Sequence, residues 1–360
     1  CEPFFSESSQ HAQVKISTTN PSQEGYAISI RAGSHRFKGE MLYDDGRYQE
    51  ALLFFKRAVA LNPADVHAYA RLGNTLFALE RYQEALEAYD HALELDHNNA
   101  IYEVDRAETL LALKRDDQAL EACARAQKLD PLNAAAYGVQ GTIYLEMGLD
   151  EGALRCYQQA SERDPKNPRY YRYRGDALRW LGRDEEALVA YDQALALKPA
   201  SREACTTLFK AKAHAYFNLE RYAAALNFYS RALELDAGDI DTCYLKGQAL
   251  YQLQRYEEAL ESFDHVLALK NDFAPGHAHR GYTLYQLQRY EEALTSLDNS
   301  LAIEDDDAVI YNAKGNILYS LGRYSEALAM YGKAITLVPE NRNYQANRAN
   351  ILEKLPTLLH

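Results

Sequence analysis

The chain is short of positive charge, of paired cysteines and of long apolar runs, and each shortage removes a class of function. Its formal net charge is −13. A nucleic-acid binder needs a basic surface to displace counterions from phosphates, so this balance argues against nucleic acid and against adhesion to an anionic membrane. No apolar stretch approaches the roughly 18–20 residues of a transmembrane span, and no signal peptide is visible. The cysteines, Cys1, Cys123, Cys156, Cys205 and Cys243, are odd in number and form no C-x-x-C pair. Cys123, Cys156 and Cys243 fall at core or near-core helix positions, where a free thiol acts as a small apolar filler. A reducing, cytoplasmic setting without a disulfide framework is the expectation.

Enzyme signatures are missing too. There is no Gly-rich phosphate loop, no G-x-S-x-G and no H-E-x-x-H. His277 and His279 are two apart on a predicted helix and so point to different faces, which is poor ligand geometry. The acidic run Glu304–Asp307 lacks the spacing of a calcium loop and reads as a solvated turn. No catalytic residue, cofactor or metal site is expected.

Cys1 stands where a Met would begin a chain. One route to it is signal-peptide removal followed by lipidation of the new N-terminal Cys, which would make a membrane-anchored lipoprotein of a bacterial envelope. The other is a fragment boundary.

What the chain has is repetition. Ala, Leu, Glu, Arg and Gln dominate, and from Ala32 a motif recurs: G-x-x-x-L/Y, then R-Y-x-E-A-L, then Y/F-x-x-A-L, then D/N-P. Clear copies begin at Gly73, Gly247, Gly281 and Gly315. The central Ala falls at Ala51, Ala85, Ala119, Ala153, Ala187, Ala225, Ala259, Ala293 and Ala327, spaced by 34 residues except for one gap of 38 between Ala187 and Ala225. Apolar residues recur at helical spacing in each half-unit, so each half predicts an amphipathic helix.

This pattern resembles the tetratricopeptide repeat, over residues 32–341. Nine copies in phase make the resemblance specific, where one copy would be weak. It implies an all-α fold, a superhelical solenoid of helix–turn–helix units. Numbered 1 to 34, the units are 32–65, 66–99, 100–133, 134–167, 168–201, 206–239, 240–273, 274–307 and 308–341. Position 8 is Gly or Ala and position 20 is always Ala, which lets the two helices of a hairpin approach closely. Position 24 is usually aromatic, as in Phe55, Tyr89, Tyr191, Tyr229, Phe263 and Tyr331. A single unit cannot bury its own apolar face, so the units must stack. Residues 1–31, polar and without a helical period, read as a flexible tail. Residues 342–360 read as a C-terminal capping helix, stopped by Pro356, and a tail. The extra residues 202–205 amount to about one helical turn and predict a longer first helix in unit six.

The resemblance also implies where a partner sits. In this family the first helix of each unit lines a concave groove through positions 2, 5, 9, 12 and 13. Unit five places Arg169, Arg172 and Arg179 on one helix face, beside the only Trp, Trp180. Unit six adds Lys210 and His214, and Asp176 is the lone acid at these positions. Arg forks match carboxylates and phosphates, so this cluster is a candidate anion site for an acidic or phosphorylated peptide. An internal salt-bridge network is the alternative. Units seven to nine carry Tyr244, Gln248, Tyr251, Tyr282, Gln286, Asn312 and Asn316, a mixture of rigid aromatic faces and amides suited to an extended peptide. Phe217, Tyr251, Tyr285 and Tyr319 at position 12 also read as packing groups, which favours the position-5 and position-9 side chains as contacts. The chaperone carboxylate clamp of some family members needs Lys, Asn, Asn, Lys and Arg over three consecutive units, and no three units here match. The leading expectation is a non-catalytic scaffold or adaptor holding a peptide or helix of another protein. The regulatory array of a larger enzyme, such as a kinase or glycosyltransferase, and a lipid-anchored envelope assembly factor are the alternatives.

Overall fold

The computed structural model describes residues 21–358, with side chains over residues 28–353. Among them are nineteen α-helices and no strand. They fall into two compact units, one ending at Met147 and one beginning at Gly148. The first holds α1 (Pro21–Asp44), α2 (Tyr48–Leu61), α3 (Val66–Ala78), α4 (Tyr82–Leu95), α5 (Ala100–Ala112), α6 (Asp116–Leu129) and α7 (Ala134–Glu146). The second holds α8 (Asp150–Arg163), α9 (Pro168–Trp180), α10 (Asp184–Ala196), α11 (Arg202–Asn218), α12 (Tyr222–Leu235) and α13 (Ile240–Gln252). It continues with α14 (Tyr256–Leu269), α15 (Ala274–Gln286), α16 (Tyr290–Ile303), α17 (Ala308–Ser320), α18 (Tyr324–Leu337) and α19 (Arg342–Leu358). Odd-numbered helices up to α17 are the first, or A, helices of the repeats; even-numbered ones are the B helices. Within each compact unit a helix packs on the helices before and after it in the chain.

The closeness of each hairpin follows from three positions. Ala at position 20 is wholly buried in all nine repeats. The position-24 ring lies against the backbone of position 8. A Cβ on Gly73 would meet Tyr89 Cε1 at 2.7 Å, and one on Gly315 would meet Tyr331 Cε1 at 2.5 Å. Real Cβ atoms do not approach that closely, so the glycine is a packing requirement here. Position 27 packs against its own A helix and the next: Ala58, Ala92, Ala126, Ala194 and Ala334 are wholly buried, Ala92 shares a buried cluster with Ala70 and Tyr102 and Ala334 one with Ala308 and Tyr344, and Ser300 donates to the Ala274 carbonyl of its own repeat at 2.8 Å.

The recurring R-x-x-E spells out the turn. Arg at position 16 is the N-cap residue of the B helix but makes no side-chain cap. Its guanidinium instead forks onto the Glu three residues on: Arg47–Glu50, Arg81–Glu84, Arg183–Glu186, Arg255–Glu258, Arg289–Glu292 and Arg323–Glu326. The fork holds each of these Glu carboxyls below its usual range. The residue before the Arg takes the left-handed conformation, as at Gly46 (φ 75°), Glu80 (φ 59°) and Gln254 (φ 58°). The A helices are capped differently, by Asp65, Asn99, Asn133, Asn167, Ser201, Asp239 and Asp307, whose side chains accept from first-turn backbone N–H groups.

Three boundaries sharpen or correct the sequence reading. Helix α1 begins at Pro21, so residues 21–31 are helical and not part of a tail; polar side chains hid a helix whose inner face is anchored by Ala32, 1% exposed. Residues 1–20, including Cys1, lie outside the described residues. Helix α11 has 17 residues where α9 and α13 have 13, because the extra residues extend it by a turn at its N-terminus. Helix α19 runs to Leu358, past Pro356. A proline removes one backbone hydrogen bond and can bend a helix without ending it.

The position-8 argument has a direct test. Gly315→Val must displace the Tyr331 ring, which is pinned through its hydroxyl to Asn316 Oδ1 at 2.7 Å; the overpacking costs about 1–3 kcal/mol. Gly332→Ala, on the same hairpin with nothing within 4 Å of the added Cβ, gains about 0.5–1 kcal/mol. Thermal melting should rank Gly332→Ala above the parent and the parent above Gly315→Val; the opposite order refutes the packing account.

Candidate functional site

The A helices present a face whose polar groups bond mainly to each other across neighbouring repeats. Two position-5 cations reach the capping acid of the next A helix: Lys210 Nζ lies 2.5 Å from Asp239 Oδ2, and Arg36 Nε lies 3.3 Å from Asp65 Oδ2. Further along, the Tyr244 hydroxyl lies 3.0 Å from His279 Nδ1 and Gln248 Nε2 lies 3.1 Å from His279 Nε2. Gln286 Nε2 donates to the Tyr251 hydroxyl at 3.3 Å, and Asn347 Nδ2 donates to Asn312 Oδ1 at 2.9 Å. These partners are 29 to 35 residues apart, close to one repeat.

Of the candidate basic cluster, part is already neutralised. Arg172 Nη1 pairs with Asp176 Oδ2 at 2.7 Å, and its guanidinium lies 4.3 Å from the Tyr173 ring. Asp176 also accepts from the Tyr191 hydroxyl at 2.8 Å. Burial still holds the Asp176 carboxyl above its usual range, against the pull of Arg172. Lys210 is held by Asp239, a residue outside the groove positions, so Asp176 is not the lone acid here. Burial works against ionising Asp239, but Lys210 and Thr242 keep its carboxyl below the usual range. Arg169 is exposed and donates to the Tyr173 hydroxyl at 3.2 Å. Arg179 lies over the Trp180 ring at 5.0 Å, with its Nε buried and without a partner. Trp180 is 61% exposed. His214 stands edge-on to Tyr229, centroids 5.8 Å apart; burial, then the charges of Arg179 and Lys210, push its imidazole down to about 4, so it is neutral at pH 7.

The aromatic and amide set divides in the same way. Tyr244 is wedged among Phe263, Phe273 and His279, and burial pushes its hydroxyl up to about 12. Tyr282 packs into the core cluster around Leu284 and Leu297, and burial raises its hydroxyl further. Each position-12 ring meets the Tyr that opens its own B helix, as in Phe217–Tyr222, Tyr251–Tyr256, Tyr285–Tyr290 and Tyr319–Tyr324. Asn316 accepts from Tyr331. Gln286 remains exposed. The histidines separate as their spacing predicts: His277 is buried with Nε2 2.9 Å from the Asn271 carbonyl, while His279 joins the A-helix ladder. No group of His, Cys, Asp and Glu among the described residues is placed to hold a metal. No described helix is long and apolar enough to cross a membrane.

The first compact unit carries a cleft that the sequence reading passed over. It measures about 490 Å³ and lies on the A-helix face, lined by Arg36, His67, Arg71, Asn74, Tyr102 and Asp105 among others. Burial, then the neighbouring Glu108 charge, push the Asp105 carboxyl up to about 7 despite Arg71. Arg71 and Asp105 stand at position 6 of their repeats, outside the groove positions that the family resemblance implies.

Comparison with known proteins agrees with this architecture. Three tetratricopeptide repeat models match residues 42–104, 139–202, and 247–288 with 315–355. A fourth, for subunit 3 of the anaphase-promoting complex or cyclosome, matches residues 180–266. None of the curated proteins compared matches the chain. Among solved structures, one chain of the APC/C hetero-tetramer Cut9–Hcn1 is similar at 14% identity and TM-score 0.52, over 89% of this chain and 76% of that one. The pilF protein of Pseudomonas aeruginosa is similar at 17% identity and TM-score 0.50, over 60% of this chain and 96% of that one. These likenesses show the fold. A tandem array of helical hairpins with these packing positions defines a class of interaction repeat, and the chain belongs to the tetratricopeptide repeat proteins.

Asp105 gives this class a pH signature here. Its folded value of about 7 lies above the ordinary 3.8, so between those limits the native state keeps a proton that the unfolded chain has lost. Stability is therefore lost as pH rises through that window. Asp105→Asn should melt above the parent at pH 8 and close to it at pH 4.5. An equal difference at both pH values would show that Asp105 is not the responsible group.

Proposed function

We propose that the chain is a non-catalytic scaffold or adaptor that holds a peptide or helical segment of another protein on its A-helix groove. The observation that carries this reading is the ladder just described. Polar groups on successive A helices bond across repeats, from Lys210–Asp239 through Tyr244–His279 to Asn312–Asn347, and so align a continuous polar and aromatic face. On α9, the A helix of the preceding repeat, Trp180 is 61% exposed. Exposed aromatic anchors beside a guanidinium are the side chains that dominate binding energy at interfaces. The internal neutralisation of Arg172 and Lys210 narrows the partner chemistry: a broad polyanion finds fewer open cations than the count of basic residues suggests. The partner-contact set on this reading remains Arg169, Arg179, Trp180 and Gln286, with Tyr244, Gln248, Tyr251, Asn312 and Asn316 shaping the surface around them.

A photo-crosslinking side chain placed at Trp180 or Gln286 should capture a discrete partner from source-cell lysate, and the same group at Glu257 or Thr295 on the B helices should not. Trp180→Ala should weaken retention of that partner by about tenfold or more without moving the melting temperature. Equal capture from both helix faces would contradict the proposal.

A further inference from the structure

The first and last described helices finish the array differently. At position 10 of the A helix, the residues of units two to nine, from Thr75 to Ile317, are at most 1% exposed. The preceding hairpin covers them. Ile143 shares a buried cluster with Ala119 and Ala122 of α6, and Ala249 shares one with Ala225 and Tyr229 of α12. In unit one position 10 is Met41, and it is 55% exposed. Ile30 and Phe37 are exposed as well, at 56% and 64%. With Ser34, also exposed, these residues step by four, three and four, so they form one stripe along α1. A repeat array is kept soluble by a polar outer face on its terminal units. Helix α19 has such a face: Asn343, Arg348 and Asn350 are exposed, while Ile351 joins the cluster around Ala327 and Tyr331 of the preceding hairpin. Helix α1 carries the apolar stripe instead.

We propose that this stripe is a self-association surface, on which α1 of one copy packs antiparallel against α1 of a second copy about a two-fold axis near Phe37. This goes beyond the groove reading and does not rest on it. The stripe continues, in register, the interface that joins hairpin to hairpin elsewhere in the chain, so its occupant is a helix that presents apolar side chains. A second α1 is such a helix. The far end of the array is not, because head-to-tail stacking would set Phe37 and Met41 against the amides and Arg348 of α19. Charge fixes the direction. Arg36 pairs with Glu40 and Asp65, and Lys38 lies over the Phe54 ring of its own hairpin at 4.8 Å, so these groups are already engaged. Arg31 at one end of the stripe and Asp44 and Asp45 at the other are exposed and make no ion pair among the described residues. Antiparallel pairing sets Arg31 of each copy against the acidic end of the other. Parallel pairing would set like charges together, which is unfavourable. A contact of this kind is self-complementary and closes at two copies.

Sedimentation velocity on the full chain, with no partner added, tests this. The parent should pass from one copy to two as protein concentration rises, and no further. Met41→Glu should weaken the association by about tenfold or more. It should leave the melting temperature in dilute solution unchanged, because the side chain is exposed in the single copy. Arg31→Asp and Asp45→Arg should each weaken association by about twofold to fivefold, and the two combined in one chain should restore it. A parent that stays a single copy at every concentration overturns the proposal. So does Met41→Glu associating as the parent does, growth beyond two copies, or a combined variant no tighter than the single ones. None of these substitutions touches α9, so the crosslinking test at Trp180 stands or falls separately.

Discussion

Everything in this molecule depends on how closely the two helices of a hairpin can lie. A wholly buried Ala at position 20 and a side-chain-free or small position 8 bring the backbones together, and the position-24 ring closes the remaining space. That contact is local in sequence, fifteen to sixteen residues across one turn, so it asks little of loop-closure entropy. It leaves each hairpin with an apolar face that only the next hairpin can cover. Stacking is thus a consequence of the hairpin, and the A-helix face is a consequence of stacking.

The same geometry divides labour among the polar residues. Surface forks from Arg to Glu stabilise the turn, while the N-cap acids Asp65 and Asp239 serve twice, as caps and as anchors for the position-5 cation one repeat back. Asp239 is the clearest case. It accepts from the Thr242 backbone and holds Lys210. An A-helix face built this way is mostly charge-balanced, so on the proposed function recognition would fall to the few groups left over: an exposed Trp, one guanidinium, and amide and aromatic edges.

The repeat, its packing positions and the direction of its A helices were legible because they recur with a fixed register, and recurrence turns a weak motif into a strong one. The longer α11 was legible for the same reason, since four residues are one turn. Other features were not. Helix α1 hid because the first residue of its chain described as buried is Ala32, so the segment before it carries no visible core pattern. The candidate cluster looked more basic than it is because Asp239 lies outside the groove register, although its spacing of 29 residues from Lys210 repeats that of Asp65 from Arg36. The position-12 rings Phe217, Tyr251, Tyr285 and Tyr319 read as packing groups as well as contacts, and each meets the Tyr of its own B helix, a pairing five residues apart that helical-face counting does not display across a turn. The Tyr229 hydroxyl, buried without a partner, departs from the position-24 Tyr of units two, five and nine, which donate to position 9, and no sequence pattern displays that difference.

The central claim is that the A-helix face holds the partner and the B helices hold the array together. Hydrogen–deuterium exchange, with and without bound partner, tests it most directly. The account predicts that partner binding slows exchange in neighbouring A helices, including α9 and α11, with the outer surfaces of α10 and α12 unchanged. Protection confined to the B helices would contradict it.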